Sequence, residues 1–484
     1  MVMTKRVFSF REAVIPILAF FILLVYGLFV HPQFFSGGRL PVEVLVLMAL
    51  CFNAFYLMYK GFTWEVIQEN LTRKVGESVP VILILFSVGV LIGSWIVSGT
   101  IPMLIYHGIS LVSADWIYIF SFLICIIFSL LTGTSWGSAG TIGVVMLGIA
   151  QVYDANIAVT AAAIVGGSFF GDKMSPLSDT TNIAALATNV PVYDHIKSMM
   201  YTTFPAALLT AIIYIVMSPA IQGGSDAQVA QLNDIDATLS DLKSIFNFNL
   251  ALLIPLGIVL WGSLTRKPIV LTLLGSAWVA MILAFIFQDF SLDAVFNSFN
   301  RGFTVDMAGD IETQSNVVNI LNRGGLYNLI EGVVISLLIF GFIGTLEVVD
   351  AIDITIDRLM SGLKKRTHIV MSALGATLVT NLTTSNQYAT SFVIGAALNK
   401  KFDEKGIPRK VLSRSLEDAG TMMENLFPWT PSGIFMINAL GVSSLEYAPY
   451  QFMSWINIVI AFFFAATGIA CFYPRGEVLE QNYK

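Results

Sequence analysis

The sequence predicts an all-α polytopic membrane protein built from two inverted-topology repeats, and three observations carry this. Only 12% of its 484 residues are charged and 56% are hydrophobic, against about 25% charged in a typical soluble domain. With a mean hydropathy of +0.77, the chain cannot be wetted all round. Apolar windows long enough to cross a bilayer as helices recur along it. A series of short motifs also appears twice, in the same order, on either side of a polar, acidic stretch.

The apolar segments fall near 14–30, 42–59, 79–98, 115–131, 134–150, 157–171, 176–188 and 202–221, then near 248–264, 269–287, 327–346, 367–380, 384–398, 411–427, 429–440 and 450–472. The first lacks a small-residue cleavage site and reads as a retained span rather than a signal peptide. Between the sets lies "QGGSDAQVAQLNDIDATLSDLKS", acidic and polar. The expected division is therefore a first repeat over 1–221, a connector over 222–247 and a second repeat over 248–484. Cys51, Cys125 and Cys471 are too few and too scattered for a disulfide frame or a zinc site.

The repeat shows in ordered matches: "IPIL" at Ile15 with "IPLG" at Ile254, "PVEVLVL" at Pro41 with "PIVLTLL" at Pro268, and "FTWEVI" at Phe62 with "FSLDAV" at Phe290. "GSW" at Gly93 follows with "GTL" at Gly344, Thr134-Ser135 with Thr384-Ser385, and Pro176 with Pro428, the last three at offsets of 250–252. Positive charge sets the orientation. Lys5, Arg6 and Arg11, then Lys60, Arg73 and Lys74, then Arg266 and Lys267, Lys364–Arg366 and "NKKFDEKGIPRK" at 399–410 all belong on the cytoplasmic side, and the acidic connector outside. Both termini are then cytoplasmic. Each half crosses an odd number of times, so the repeats are inverted, a plan used by alternating-access carriers.

Segments 115–150 and 367–399 are each two apolar arms around a polar tip, "TGTSWGSAGT" and "TNLTTSNQYAT". Charge parity allows either re-entrant hairpins or full spans. Re-entrant hairpins are favoured, because a tip rich in free carbonyls and hydroxyls needs a buried cavity to face.

The motif "GGSFFGDKMSPLSDTTNIAA" at Gly166–Ala185 sits inside what hydropathy alone reads as one span. Pro176 removes a backbone donor and disfavours helix at Ser175, and Gly166, Gly167 and Gly171 loosen the approach. A helix broken near Asp172–Asp179 is expected, with unwound carbonyls for a cation and a half-helix N-terminus that Ser178, Asp179 or Thr180 can cap. Charge inside a bilayer usually marks an ion path. The competing reading has Asp172 and Lys173 neutralise each other and Asp179 serve as a cap. The second half repeats the pattern in "EDAGTMMENLFPWTPSG", where Glu424 precedes Pro428 as Asp172 precedes Pro176. Glu417 and Asp418 read more simply as helix-surface charges near the cytoplasmic end.

The candidate ion and substrate site is therefore Asp172, Asp179, Ser175, Ser178 and Thr180 on the first broken helix, Thr134 and Ser135 on the first tip, Thr384, Ser385 and Asn386 on the second, and Glu424. Asp172 and Asp179 are the Na+-binding pair. His31, His107, His195 and His368 show no metal spacing. Gly89 and Gly93 suit a close helix-packing face, and Trp136 is either a cavity wall or packing. No phosphate loop and no catalytic triad signature occurs, so neither a nucleotide-driven pump nor an enzyme is expected.

"LLTGTSWGSAGT" followed by "GSFFGDKMSPLSDTTNIAA", with "VGVLIGSWIVSGTIPMLIYHG" and the Glu417–Gly433 motif, resembles the NhaC family of bacterial Na+/H+ antiporters, which includes Na+- and H+-driven malate/lactate exchangers. The resemblance runs from about Val79 to Met436 and leaves the connector and the 288–326 loop unplaced. It implies a secondary carrier in a bacterial cytoplasmic membrane. The expected cargo is Na+ and H+, with no resident cofactor and no nucleic-acid partner. A small organic acid or amino acid as co-substrate, and homodimerisation, stay open. A channel is the rival class, disfavoured by the inverted repeat.

Overall fold

The computed structural model describes residues 8–35, 37–218, 225–309, 313, 315–360 and 363–473, with the side chains of 225–234, 315, 357, 359 and 360 excepted. Lys5, Arg6 and the first residues of the connector, 222–224, lie outside this set. Among the described residues every regular element is helical.

The first half runs α1 (Phe10–Val25, carried on through a π turn to Phe34), α2 (Val42–Tyr59) and α3 (Val79–Val97). It continues through a hairpin of α4 (Ile117–Thr132) and α5 (Ser135–Val152), a broken pair α6 (Ile157–Met174) and α7 (Asp179–Ala187), and α8 (Val192–Val216). The described part of the connector is itself a helix, α9 (Ser225–Ile245). The second half repeats the series: α10 (Ile254–Leu264), α11 (Ile269–Phe287) and α12 (Ile330–Glu347). The hairpin α13 (Arg366–Thr384) and α14 (Gln387–Glu404) follows. The broken pair is α15 (Arg409–Leu416, extended by a π turn over Glu417–Thr421 to Glu424) and α16 (Pro431–Leu440), and α17 (Phe452–Thr467) closes the series.

Local chemistry explains the ends. Ser9 and Glu12 form a capping box at α1, and Pro41 and Pro268 stand at the N-caps of α2 and α11. Among the described residues nine helices are long and apolar enough to cross a membrane, or up to 11 if each of two bent pairs is one span. Large side chains such as Phe29, Phe204, Leu208, Ile212, Trp278 and Phe463 stay exposed, as a lipid-facing surface requires.

The third helix of each half is gripped by the other half. α12 packs against α2 and the amphipathic helix Trp64–Gly76, while α3 packs against α11 and the amphipathic helix Leu292–Asn300. These are the segments matched in sequence at Phe62 and Phe290, and the glycines matched at 93 and 344 explain the contact. A Cβ on Gly93 would lie 2.1 Å from Ser298 O, and one on Gly344 would lie 2.8 Å from Asn70 O. Gly89 and Gly93 thus form a close-packing face, but against the 288–326 segment: Gly325 N–H donates to Gly89 O at 2.7 Å.

Gly166, Gly167 and Gly171 do not loosen α6, which is regular through Met174. They let it approach its neighbours: a Cβ at 167 would meet Phe122 O at 2.3 Å, and one at 171 would meet Leu130 N at 2.4 Å. Backbone atoms cannot step aside. Gly167→Val should therefore cost about 1–3 kcal/mol or more by overpacking, read as a lowered midpoint of thermal unfolding in detergent.

Candidate functional site

The two helix breaks and the two hairpin tips converge. One cavity of about 350 Å³ is lined by Thr134, Ser135 and Trp136 from the first tip, Ser385–Tyr388 from the second, Asp172, Asp179 and Thr180 from the first break, and Thr421, Glu424 and Ser432 from the second. Both tips therefore end inside the protein, at the level of the two helix breaks. In water a polar tip needs no partner. Here the first tip is held by the facing elements, Ser135 by Asp172 and Trp136 by Ser432, while on the second Ser385 Oγ and Gln387 Oε1 are buried without a partner among the described residues.

Ser175, before Pro176, is extended, with φ −85° and ψ 131°, so α6 stops and α7 restarts at Asp179. Asp172 is buried. Ser135 Oγ donates to its Oδ2 at 2.6 Å, and Ser178 Oγ donates to its Oδ1 at 2.5 Å. Ser178 occupies the N-cap position of α7 yet makes no capping bond, because its hydroxyl is committed to Asp172. Thr180 Oγ1 stands 3.1 Å from Ser178 Oγ. Asp179 makes no cap either; it is exposed to the cavity in the first turn of α7. Opposite, Glu424 Oε1 accepts from Ser432 N–H at 3.3 Å, and Thr430 Oγ1 caps α16.

Two predicted residues sit elsewhere, and a third lines the cavity with its hydroxyl turned to another task. Ser175 Oγ donates to Leu130 O at 3.2 Å, off the cavity. Thr134 lines the cavity, but its hydroxyl accepts from Gly137 N–H at 3.3 Å as a helix cap. Thr384 lies 3.0 Å from Thr390 Oγ1 and lines a separate cavity of about 90 Å³ with Lys74 and Glu347.

Thr384 also shows that the tips align at an offset of 252 rather than 250. Thr132 bonds Ser138 at 3.0 Å as Thr384 bonds Thr390, and both Gly133 and Ser385 adopt left-handed backbone. Thr134 and Asn386 are the matching N-caps. The same offset relates Pro176 to Pro428 and Asp172 to Glu424. Under it Ser135 corresponds to Gln387 and Trp136 to Tyr388, a pair of cavity residues that the 250 register concealed. Trp136 both walls the cavity and packs: it stacks on Phe435 at 4.7 Å, and its Nε1 donates to Ser432 Oγ at 3.3 Å.

Lys173 does not neutralise Asp172. It is fully buried, ion-paired to Asp418, and donates to Asn457 Oδ1 at 3.1 Å. Thr202 Oγ1 and Asn457 Nδ2 also donate to Asp418 Oδ1, at 2.9 and 3.0 Å. The reason is directional. Successive residues of α6 point to different sides, so Asp172 faces the tip while Lys173 faces α8, α17 and the π turn of α15. Glu417 and Asp418 are accordingly not surface charges: each is 0% exposed. His195, unclustered in sequence, is buried with Nδ1 2.8 Å from Ser413 Oγ.

A model of the Na+/H+ antiporter family matches residues 167–469. The chain is 37% identical to an uncharacterised Na+/H+ antiporter of Haemophilus influenzae, over 95% of this chain and 96% of that protein. It is 32% identical to the Na+/H+ antiporter NhaC of Bacillus subtilis, over 87% and 91%. It is 29% identical to the malate-2H+/Na+-lactate antiporter of the same species, over 95% and 97%. With the relatives matching over nearly the whole chain and the family model running from within the first broken helix through the second hairpin and second break, the chain belongs to the NhaC family of Na+/H+ antiporters.

Proposed function

We propose that this protein is a secondary carrier that exchanges Na+ for H+ by alternating access, with Asp172 at the centre of its site. The observation that carries the reading is Asp172 itself: a buried carboxylate at a helix break, facing a polar cavity formed by both halves of an apolar protein. A carboxylate that stabilises a cation in such a low-dielectric cavity cannot also keep its proton, so Na+ and H+ exclude each other there. Asp179 and Glu424 share the cavity and add charge for the cation. Ser135, Ser178, Thr180, Ser385 and Asn386 supply neutral oxygen around them. The cargo is Na+ and H+, with no resident cofactor.

A second cavity of about 520 Å³ supports alternating access. It reaches Pro428 and Ile434 past Ile92 of α3 and Ile335 of α12, whereas the site cavity opens past Pro80, Val81 and Phe340 of the same helices. The second break therefore borders both cavities, one beside Pro80 and Val81 at the start of α3 and the other beside Ile92 toward its end. The domain plan proposed is two inverted repeats, 1–221 and 248–484, joined by 222–247, with both termini cytoplasmic in a bacterial cytoplasmic membrane. Single cysteines placed in 222–241 should react with an impermeant reagent from outside, and those in 399–410 only from inside; reaction of both from one side refutes this topology.

The alternative reading adds a small organic anion or amino acid. The half-helix N-termini at Ser178 and Thr430 favour an anion, and the cavity is larger than a dehydrated Na+ needs. One experiment decides. With the protein in vesicles under an imposed Na+ gradient, internal pH should change without organic solute. Change only with malate, lactate or an amino acid present selects the exchanger, and no change in either case overturns both.

A further inference from the structure

Behind the wall that Gln387 and Thr421 give the site cavity, a second group of oxygens lies buried, reaching Glu417 and Asn381 off that cavity. Glu417 is 0% exposed, Asn381 1%, Thr421 2% and Gln387 4%. Both Glu417 carboxylate oxygens, Asn381 Oδ1, Gln387 Oε1 and Thr421 Oγ1 are buried with no well-formed hydrogen bond among the described residues, although the Thr421 hydroxyl lies near the Glu417 carboxylate one helical turn away. Each buried polar group left so costs roughly 1–3 kcal/mol, more when charged. Such a cluster calls for a missing partner.

The geometry holds these groups together. Asn381 Nδ2 donates to Gly420 O at 3.3 Å, and Gln387 Nε2 donates to Leu416 O at 3.0 Å and Ser391 Oγ at 3.4 Å. Both amides are thereby pinned across the π turn Glu417–Thr421, leaving their oxygens uncommitted. The Gln387 oxygen lies so close to the turn that a Cβ on Gly420 would be 2.0 Å from it. A π turn widens the backbone by one residue, a distortion common at functional sites.

Among the described residues no cation forms an ion pair with Glu417. Lys173 is taken by Asp418 and Asn457. Arg414 donates to Ser198 O and Ala470 O at 3.4 and 3.0 Å, and its Nε is 3.8 Å from Asp418 Oδ2. The repeat does not require the cluster either: at the offset of 252, Glu417 and Thr421 correspond to apolar Val165 and Phe169.

We propose that Glu417, Asn381, Gln387 and Thr421 form a second Na+-binding position, separate from the Asp172 site. One carboxylate with neutral amide and hydroxyl oxygens is a donor set for a hard monovalent cation. Gln387 and Thr421 belong to both walls, so the two positions communicate through the second hairpin tip and the π turn. The proposal rests on the reading of this chain as a Na+ carrier.

Equilibrium binding of radioactive Na+ to the purified full-length protein in detergent tests it, and reads binding whether or not flux occurs. The native protein should bind about two Na+ per chain, and Glu417→Gln and Asp172→Asn about one each, since each position has its own carboxylate. Thr421→Val, which keeps the charge, should retain both positions with one weakened about tenfold, a loss of roughly 1.4 kcal/mol. An unchanged count in Glu417→Gln overturns the proposal, including the case in which that variant alters only proton release. A single native site removed by Asp172→Asn also overturns it, while leaving the carrier reading to the vesicle flux measurement.

Discussion

Asp172→Asn should abolish Na+-driven proton flux, by about a hundredfold or more, while the purified protein keeps its unfolding midpoint. Asparagine has nearly the same shape. Its amide oxygen can still accept from Ser135 or Ser178, whose hydroxyls now donate to the carboxylate at 2.6 and 2.5 Å. What disappears is the charge that stabilises Na+ and the oxygen that carries the proton. Losing a cation contact worth roughly 2.8 kcal/mol lowers occupancy about a hundredfold, and losing the proton removes the exchanged species altogether. Reconstituted vesicles with a pH-sensitive dye report flux, and thermal unfolding in detergent reports the fold. Normal flux with normal Na+ affinity in this variant would dismantle the site. Glu424→Gln should have a smaller effect, because Asp172 and Asp179 remain.

Breaking the ion pair beside the site should have the opposite signature. Asp418→Leu should destabilise the protein by about 3–5 kcal/mol, the usual cost of stranding one buried charge. It leaves the fully buried Lys173 ammonium with Asn457 Oδ1 as its remaining side-chain partner among the described contacts. The pair joins α6 to the π turn of α15 across 245 residues of sequence, so its loss loosens the junction of the two halves. The double variant Lys173→Met/Asp418→Leu should recover most of the stability, since apolar replacement of a whole buried pair is often neutral or better. Thermal unfolding of the two singles and the double forms a cycle that isolates the coupling. The rival pairing of Lys173 with Asp172 predicts the reverse: Asp418→Leu harmless and Asp172→Asn destabilising.

One variant changes Asp172 and the other removes the partner of the adjacent Lys173, yet they separate transport from folding. That distinction is not visible in "GDKMSP" as a string. Adjacent opposite charges in an apolar segment look like mutual neutralisation, and only the direction of each side chain from α6 shows otherwise.

The sequence by itself determined what short windows determine. The transfer cost of apolar and charged groups marks the spans. The missing donor of Pro176 and Pro428, with the extended backbone forced on the residue before each, breaks both helices whatever surrounds them. Polar tips within apolar arms must face a cavity, which brought Thr134, Ser135, Ser385 and Asn386 into the prediction together with Asp172 and Glu424. Only the tertiary structure decided partners, because a partner is chosen by which distant segment abuts. It gave Lys173 to Asp418, turned Ser178 from a helix cap into a donor to Asp172, and buried Glu417. It set the tips at an offset of 252, moving Thr384 off the cavity and bringing Gln387 and Tyr388 onto it. Gly167 and Gly171, which as residues promise flexibility, became points of tight contact because backbone from α4 fills the space where a Cβ would stand.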